Sequence, residues 1–259
     1  MTILDKIVAA KRIDIASCKQ AVPLEHVINL SASLMQGRSM KQALLDSPSG
    51  IISEFKRKSP SKGFIHPGAD VAQVVKAYEE AGCSGISVLT DYEFFGGTTG
   101  DFKAARAAVN CPILRKDFII DPYQLYVSKI LGADLVLLIA ANLTMDEAFD
   151  FGELAHELGM EVLLEVHNED ELKYISRYTD IVGVNNRNLK TFVTDVNTSF
   201  DLAGKIPSDM VKISESGLSD PAIVKELRRA GYQGFLMGEA FMKNKQPGKA
   251  LANFISKIL

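Results

Sequence analysis

Cysteine is scarce in this sequence: Cys18, Cys83 and Cys111 are the three in 259 residues. An odd number at wide spacing argues against a disulfide framework and against a zinc site. The thiols are expected to be reduced, inert and partly buried. The four histidines, His26, His66, His156 and His167, show neither the i,i+4 nor the HxxE spacing that sets metal ligands on one helix face. No metal site is expected, and no nucleophilic Ser or Cys motif is present. Charge of one sign is not in excess. The 29 Lys and Arg stand against 32 Asp and Glu, a formal net charge of −3, which leaves no footprint for nucleic acid or an anionic membrane. Long apolar runs are missing too. The longest, Leu135–Ala141, is far too short to span a bilayer. Asp5, Lys6, Lys11 and Arg12 break up the stretch where a signal peptide would need apolar residues. These absences point to a soluble, cytoplasmic protein.

What is present is ordinary globular composition, 47% hydrophobic and 24% charged, and a repeat. Short apolar runs rich in Val, Ile and Leu begin near Ile51, Gly85, Pro112, Asp134, Glu161, Asp180, Met210 and Gly234. Such runs fit parallel strands covered on both faces, and each is followed by a helical pattern. Helix starts are marked by Asp121-Pro122 and Asp220-Pro221, and by Thr144 with Glu147 and Asn168 with Glu171 at capping-box spacing. Gly82, Gly132, Gly159 and Gly231 close helices just before the next strand. Eight such units in about 210 residues fit a single-domain (β/α)8 barrel. An open doubly wound sheet is the competitor, disfavoured by the lack of a glycine-rich dinucleotide turn. The cluster Gly96–Gly100 has the wrong spacing for a phosphate loop and reads as a flexible loop after strand two.

Residues 1–49 form a separate helical extension to the barrel at 50–259. Ile3, Leu4, Ile7 and Val8 make one apolar stripe, and Met40, Ala43 and Leu44 make another in a short helix over Ser39–Asp46. The segment reads either as a packing appendage or as a lid over a ligand.

In a barrel, chemistry collects at the carboxyl ends of the strands. Here those ends carry Glu54 and Lys56, then Lys116, Glu165, Asn185, Glu215, Ser216 and Glu239, whereas the opposite ends carry mostly turn residues. Period two puts Glu54 and Lys56 on one face of the first strand. A carboxylate and an ammonium leaving a buried strand are costly unless paired or functional. The loops after strands seven and eight, Ser216-Gly217 and Gly238-Glu239, suit a phosphate, with Lys56 and Ser59 in reach from strand one. Glu239 must then point away and use only its backbone.

These residues sit in motifs that resemble those of the indole-3-glycerol phosphate synthase family over essentially the whole chain. The most specific is EFKRKSPSKG at Glu54–Gly63. In order follow LRKDFI, LLEVHN, GVNNRNL, SESG and FLMGEAFM, the last at Phe235–Met242. Position 186 is Asn, where the family often has a different small residue. The resemblance implies ring closure with decarboxylation and dehydration of 1-(2-carboxyphenylamino)-1-deoxy-D-ribulose 5-phosphate, with no metal or organic cofactor. It implies Lys116 as general acid and Glu165 as its acidic partner. Lys56 would hold the carboxylate and assist dehydration, Glu54 would be the base of the last step, and Asn185 and Ser216 would position the substrate. Pro60, Phe95, Phe118 and Leu189 would wall the aromatic ring. Ser59, Arg187, Gly217, Gly238 and Glu239 complete the expected substrate contacts. The expected partner is this small phosphorylated molecule, not nucleic acid or membrane. A monomer is expected, with association among enzymes of the same pathway left open. The competing readings are another phosphate-binding barrel enzyme, such as a phosphoribosylanthranilate isomerase, and a non-catalytic binding barrel.

Overall fold

The computed structural model describes residues 2–32, 37–189 and 191–259. Eight strands close into a parallel barrel: β1 Ile51–Phe55, β2 Gly85–Leu89, β3 Ile113–Lys116, β4 Leu135–Ile139, β5 Glu161–Val166, β6 Ile181–Asn185, β7 Val211–Glu215 and β8 Gly234–Met237. Each strand pairs with its sequence neighbours, and β8 returns to β1 with Ile51 opposite Phe235. The open-sheet alternative is thereby excluded. The strands are buried because both faces are covered, and only Glu161, Lys116 and Asn185, each at a strand end, are partly open. One set of side chains, including Ile51, Ile86, Val136, Val162 and Val184, packs outward against the helices. The alternate set, including Ile52, Leu114, Leu137, Leu163 and Ile213, fills the lumen.

Four observed strands start one residue later than the apolar runs suggest. Asp134 and Asp180 explain two of these shifts. Asp134 accepts from the Ile113 N–H at 2.8 Å, and Asp180 from the Val162 N–H at 2.8 Å. Asp134 thus serves the first amide of β3 and Asp180 the second amide of β5, each from just outside its own strand.

The helices around the barrel begin and end where local chemistry dictates. Asp121 and Asp220 cap α7 Pro122–Leu131 and α10 Pro221–Arg229, and Thr144 and Glu147 form a complete capping box on α8 Met145–Glu157. After β5 the segment Glu169–Tyr174 is a 3-10 helix, not an α-helix. Its box is displaced: Glu171 takes the His167 N–H at 2.7 Å, while Asn168 caps the Glu171 N–H at 3.2 Å. The Gly96–Gly100 stretch is two caps back to back, which corrects its reading as a loop. Gly96, at φ 66°, ends the short helix α5 Tyr92–Phe95, and Thr98 with Asp101 starts α6 Thr99–Ala108.

The N-terminal extension works at both ends of the barrel. Helix α1, Ile3–Ala21, reaches the carboxyl end, where Lys11 meets Asp91 and Asp117. Helix α2, Leu24–Ser31, was not foreseen: Pro23 supplies no side-chain cap, and Leu24, Ile28 and Leu30 are exposed. Helix α3, Met40–Asp46, plugs the opposite end. Glu161 accepts from the Met40 and Lys41 amides at 2.8 and 3.0 Å. Met40 and Leu44 enter where Gly85 and Gly234 lack side chains; a Cβ there would lie 2.3 Å from Met40 and 2.9 Å from Leu44. Burying each side chain contributes about 1.5–3 kcal/mol. This part of the extension is packing, far from the polar strand ends.

Candidate active site

On four of the strands the inward-facing apolar side chains give way to charge at the carboxyl end. Ile52 is followed by Glu54 and Lys56, Leu114 by Lys116, Leu163 by Glu165, and Ile213 by Glu215. Lys56 Nζ lies 2.5 Å from Glu54 Oε1. Lys116 Nζ bridges two carboxylates across the lumen, Glu165 Oε2 at 2.9 Å and Glu215 Oε2 at 2.6 Å. Asn185 Nδ2 donates to Glu165 Oε1 at 3.0 Å, and Asn185 stands directly opposite Glu215 in the ladder.

Two glycines make room for the acids. A Cβ on Gly183 would lie 2.6 Å from Glu215 Oε1, and one on Gly238 would lie 2.6 Å from Glu54 Oε1. Glycine here is a matter of volume, since neither residue has positive φ.

Burial favours the neutral form of every group in this cluster, and proximity decides which stay charged. Burial alone would lower the Lys116 pKa, but Glu165, Glu215 and Glu54 together raise it, so the amine stays protonated. Burial would raise Glu165, but Lys116 and then His167 hold it well below the usual carboxylate range. Glu215 goes the other way. Burial and the nearby Glu165 outweigh its contact with Lys116, and it is pushed up to about 7. Two carboxylates on one lysine therefore have opposite protonation behaviour, the pattern that separates roles at catalytic sites.

Around this centre the walls differ by side. Phe95 and Phe118 lie with ring centroids 6.1 Å apart. Pro60 and Leu189 line the same pocket. Opposite them, Ser216 and Gly217 both take left-handed backbone, at φ 69° and 75°. For Ser216 this conformation is strained, and Asn186 Nδ2 holds its carbonyl at 3.1 Å. Asn186 also bonds Ser214 Oγ at 3.0 Å, so this residue supports the loop. Glu239 does turn its carboxylate aside, to Lys62 at 2.5 Å. Arg187 Nη1 donates to Ser61 Oγ at 2.7 Å. Glu215 Oε1 and Ser59 Oγ are buried, line the pocket and have no hydrogen-bond partner among the described residues.

All fifteen residues singled out from the sequence line this one pocket: Glu54, Lys56, Ser59, Pro60, Phe95, Lys116, Phe118, Glu165, Asn185, Arg187, Leu189, Ser216, Gly217, Gly238 and Glu239. Lys56 is engaged with Glu54 rather than with the loops after β7 and β8. Two residues were missed. Glu215 was visible at a strand end, but nothing in its local sequence says that it faces Lys116 across the barrel. His167 was weighed only as a metal ligand. It stands between two carboxylates, with Nε2 3.3 Å from Glu165 Oε1 and Nδ1 3.2 Å from Glu171 Oε2. Burial would lower its pKa, but those two acids raise it to about 10.

Comparison with known proteins agrees in sequence and in fold. The family model described as indole-3-glycerol phosphate synthase matches residues 4–254. A protein of that name from Bacteroides thetaiotaomicron is 54% identical over 256 residues, covering 99% of this chain and 98% of the relative. Another of that name, from Polaromonas sp., is 44% identical over 255 residues, covering 96% and 97%. Among solved structures, a thiamine phosphate pyrophosphorylase from Pyrococcus furiosus superposes with a TM-score of 0.62 at 14% identity. That match covers 85% of this chain and 100% of the other, and at such identity it speaks to the fold alone.

Proposed function

The chain belongs to the indole-3-glycerol phosphate synthase family, carboxy-lyases of tryptophan biosynthesis, and we propose that Lys116, set between Glu165 and Glu215, is the proton donor of its ring closure. The reaction converts 1-(2-carboxyphenylamino)-1-deoxy-D-ribulose 5-phosphate to indole-3-glycerol phosphate, carbon dioxide and water. Forming the new carbon–carbon bond turns the ketone oxygen into an alkoxide, a stronger base than an amine. A lysine kept charged by its neighbours can therefore still protonate it. Glu165, strongly ionised, stabilises the cation that builds up at the anilino nitrogen. That cation is the electron sink into which the carboxylate collapses as carbon dioxide.

Dehydration then needs an acid on the hydroxyl and a base on the ring-forming methylene. Lys56 and Glu54, 2.5 Å apart, supply that pair, and Lys56 also holds the departing carboxylate. Glu215, pushed up to about 7, takes and returns a proton at neutral pH in a way Glu165 cannot. Asn185 and Ser216 position the substrate. Pro60, Phe95, Phe118 and Leu189 form the slot for its aromatic ring. Backbone amides at Gly217, Gly238 and Glu239, with Ser59 and Arg187, take the phosphate end. On this reading the whole chain is one domain that acts as a cytoplasmic monomer.

The observation that carries the proposal is the Lys116 bridge between two buried acids inside a pocket that has an aromatic wall and an open-backbone wall. The test is direct. Purified protein given the anilino-deoxyribulose phosphate yields an indole-fluorescent product, and Lys116→Ala yields none. A Lys116→Ala variant as active as its parent rejects the assignment.

A further inference from the structure

The stoichiometry of this reaction makes a demand that the pocket alone does not meet. The ketone oxygen takes up two protons to leave as water, and the ring-forming methylene returns one. The carboxylate leaves as neutral carbon dioxide and takes none. Each turnover therefore draws one proton from solvent, and Lys116, once it has given its own, must be reloaded before the next.

We propose that His167 is the relay that reloads it, passing protons from an outer groove through Glu165 to Lys116. The inference rests on Lys116 being the proton donor. The groups form one line: Lys116 Nζ to Glu165 Oε2 at 2.9 Å, Glu165 Oε1 to His167 Nε2 at 3.3 Å, and His167 Nδ1 to Glu171 Oε2 at 3.2 Å. Glu165 faces the substrate pocket. His167 and Glu171 line a neighbouring outer groove of about 830 Å³, which meets the pocket at Asn185, Arg187 and Leu189. His167 thus stands on the partition between the two spaces.

The local fold holds it there. Because the box after β5 is displaced by one residue, the Glu171 carboxylate takes both the backbone N–H and the ring of His167. Had Glu171 capped Asn168 instead, the imidazole would have lost its outer partner. On the inner side Nε2 is buried and close to Glu165 but is not aligned for a hydrogen bond with any described residue. A small turn of the ring or the carboxylate completes the path. The charged groups around the ring are Glu165 on the strand just before it and Glu171 on the following segment. Asp5 of α1 and Arg187 and Asp195 of the loop after β6 line the same groove.

Only N–H and O–H bonds change in the step. The imidazolium gives its Nε2 proton to Glu165, and Glu165 gives one to the neutral Lys116 amine. The imidazole left behind keeps its proton on Nδ1, so the ring must turn to bring the bare Nε2 to water in the groove, regain a proton there, and turn back to face Glu165. The two flanking acids outweigh burial and keep the ring loaded at neutral pH, with its pKa raised to about 10.

The experiment compares His167→Asn, His167→Ala and Glu171→Gln with the parent enzyme in steady-state assays in water and deuterium oxide. A relay predicts that His167→Asn loses about tenfold or more in kcat with KM within about twofold, and shows a larger solvent isotope effect. Free imidazole restores turnover to His167→Ala, while pyrazole, of the same shape but unprotonated at neutral pH, does not. Glu171→Gln, which keeps the ring, slows kcat several-fold. A His167→Asn kcat within about twofold of the parent overturns the relay, as does equal rescue by imidazole and pyrazole. If the His167 variants do not fold, an unchanged kcat in Glu171→Gln overturns it. Lys116→Ala, run alongside, separates the two ideas, because activity there rejects the donor itself and not the route that reloads it.

Discussion

Lys11 and Lys116 are both buried, and each sits between two carboxylates, yet the two arrangements are built for different ends. Lys11 lies 2.8 Å from Asp91 and 3.0 Å from Asp117. Asp117 also holds Arg115 at 2.8 Å, so two acids face two bases. The remaining lone pairs are filled: Phe94 N–H donates to Asp91 and Phe118 N–H to Asp117, at 2.9 and 2.8 Å. Burial would raise Asp117, but Arg115 and Lys11 pull it down. Lys116 pairs with both Glu165 and Glu215, and the second base at Glu165, His167, is shared with Glu171. One acid is surplus, and it is driven to about 7. A saturated buried network fixes geometry, while an unsaturated one leaves a proton free to move. Lys11 thereby anchors the roots of Phe94 and Phe118, next to the aromatic wall, and Lys116 does the chemistry.

The sharpest way to break this contrast is to remove each lysine in turn. Lys116→Ala is expected to lose about a thousandfold or more in kcat while still binding substrate in the micromolar range, checked by turnover and calorimetry. Lys11→Met is expected to do the reverse. Stranding two buried acids costs about 3–5 kcal/mol of stability, read by denaturant titration, with kcat within a few-fold of the parent. If the two variants exchanged phenotypes, the distinction would collapse. Gly183→Ala moves the surplus acid without deleting it. Its methyl would crowd Glu215 Oε1 at 2.6 Å, and kcat should fall about tenfold with little change in melting temperature.

Glu215→Gln sharpens the comparison through pH. In the parent, activity should fall as pH drops through about 7, because protonated Glu215 no longer pins Lys116. The variant should lack that limb in its kcat profile. The smallest effect is a slope. The folded-state pKa of His167 is raised from 6.5 to about 10, so its contribution to stability is complete below pH 6.5 and is lost as pH rises toward 10. Unfolding free energies measured across that window should decline in the parent and decline less in His167→Asn.

The barrel was legible because the runs of Val, Ile and Leu recur with helix punctuation between them, and the pocket because charge clusters at one end of those runs. The Glu54-x-Lys56 spacing even names its ion pair, since Lys56 follows directly on the strand that carries Glu54 and keeps its parity. The Glu165–Lys116–Glu215 bridge was not legible in the same way. Its members come from β3, β5 and β7, and which side chains meet across a lumen depends on barrel closure, not on local pattern. His167 escaped because its partners are carboxylates at distances that ligand spacing does not test. Helix α2 escaped because it buries little and carries no cap. The glycines after β2 misled because a cap and a loop use the same residues.

The plug at the floor of the barrel has a consequence for how the molecule is made. Leu44 packs where Gly234 leaves space, and Met40 where Gly85 does. About 190 residues separate Leu44 from its seat, on the order of 10–40 s of translation at 5–20 residues per second. Leu44 thus leaves the ribosome ahead of the whole barrel, and its apolar side chain waits in water until the final strand arrives.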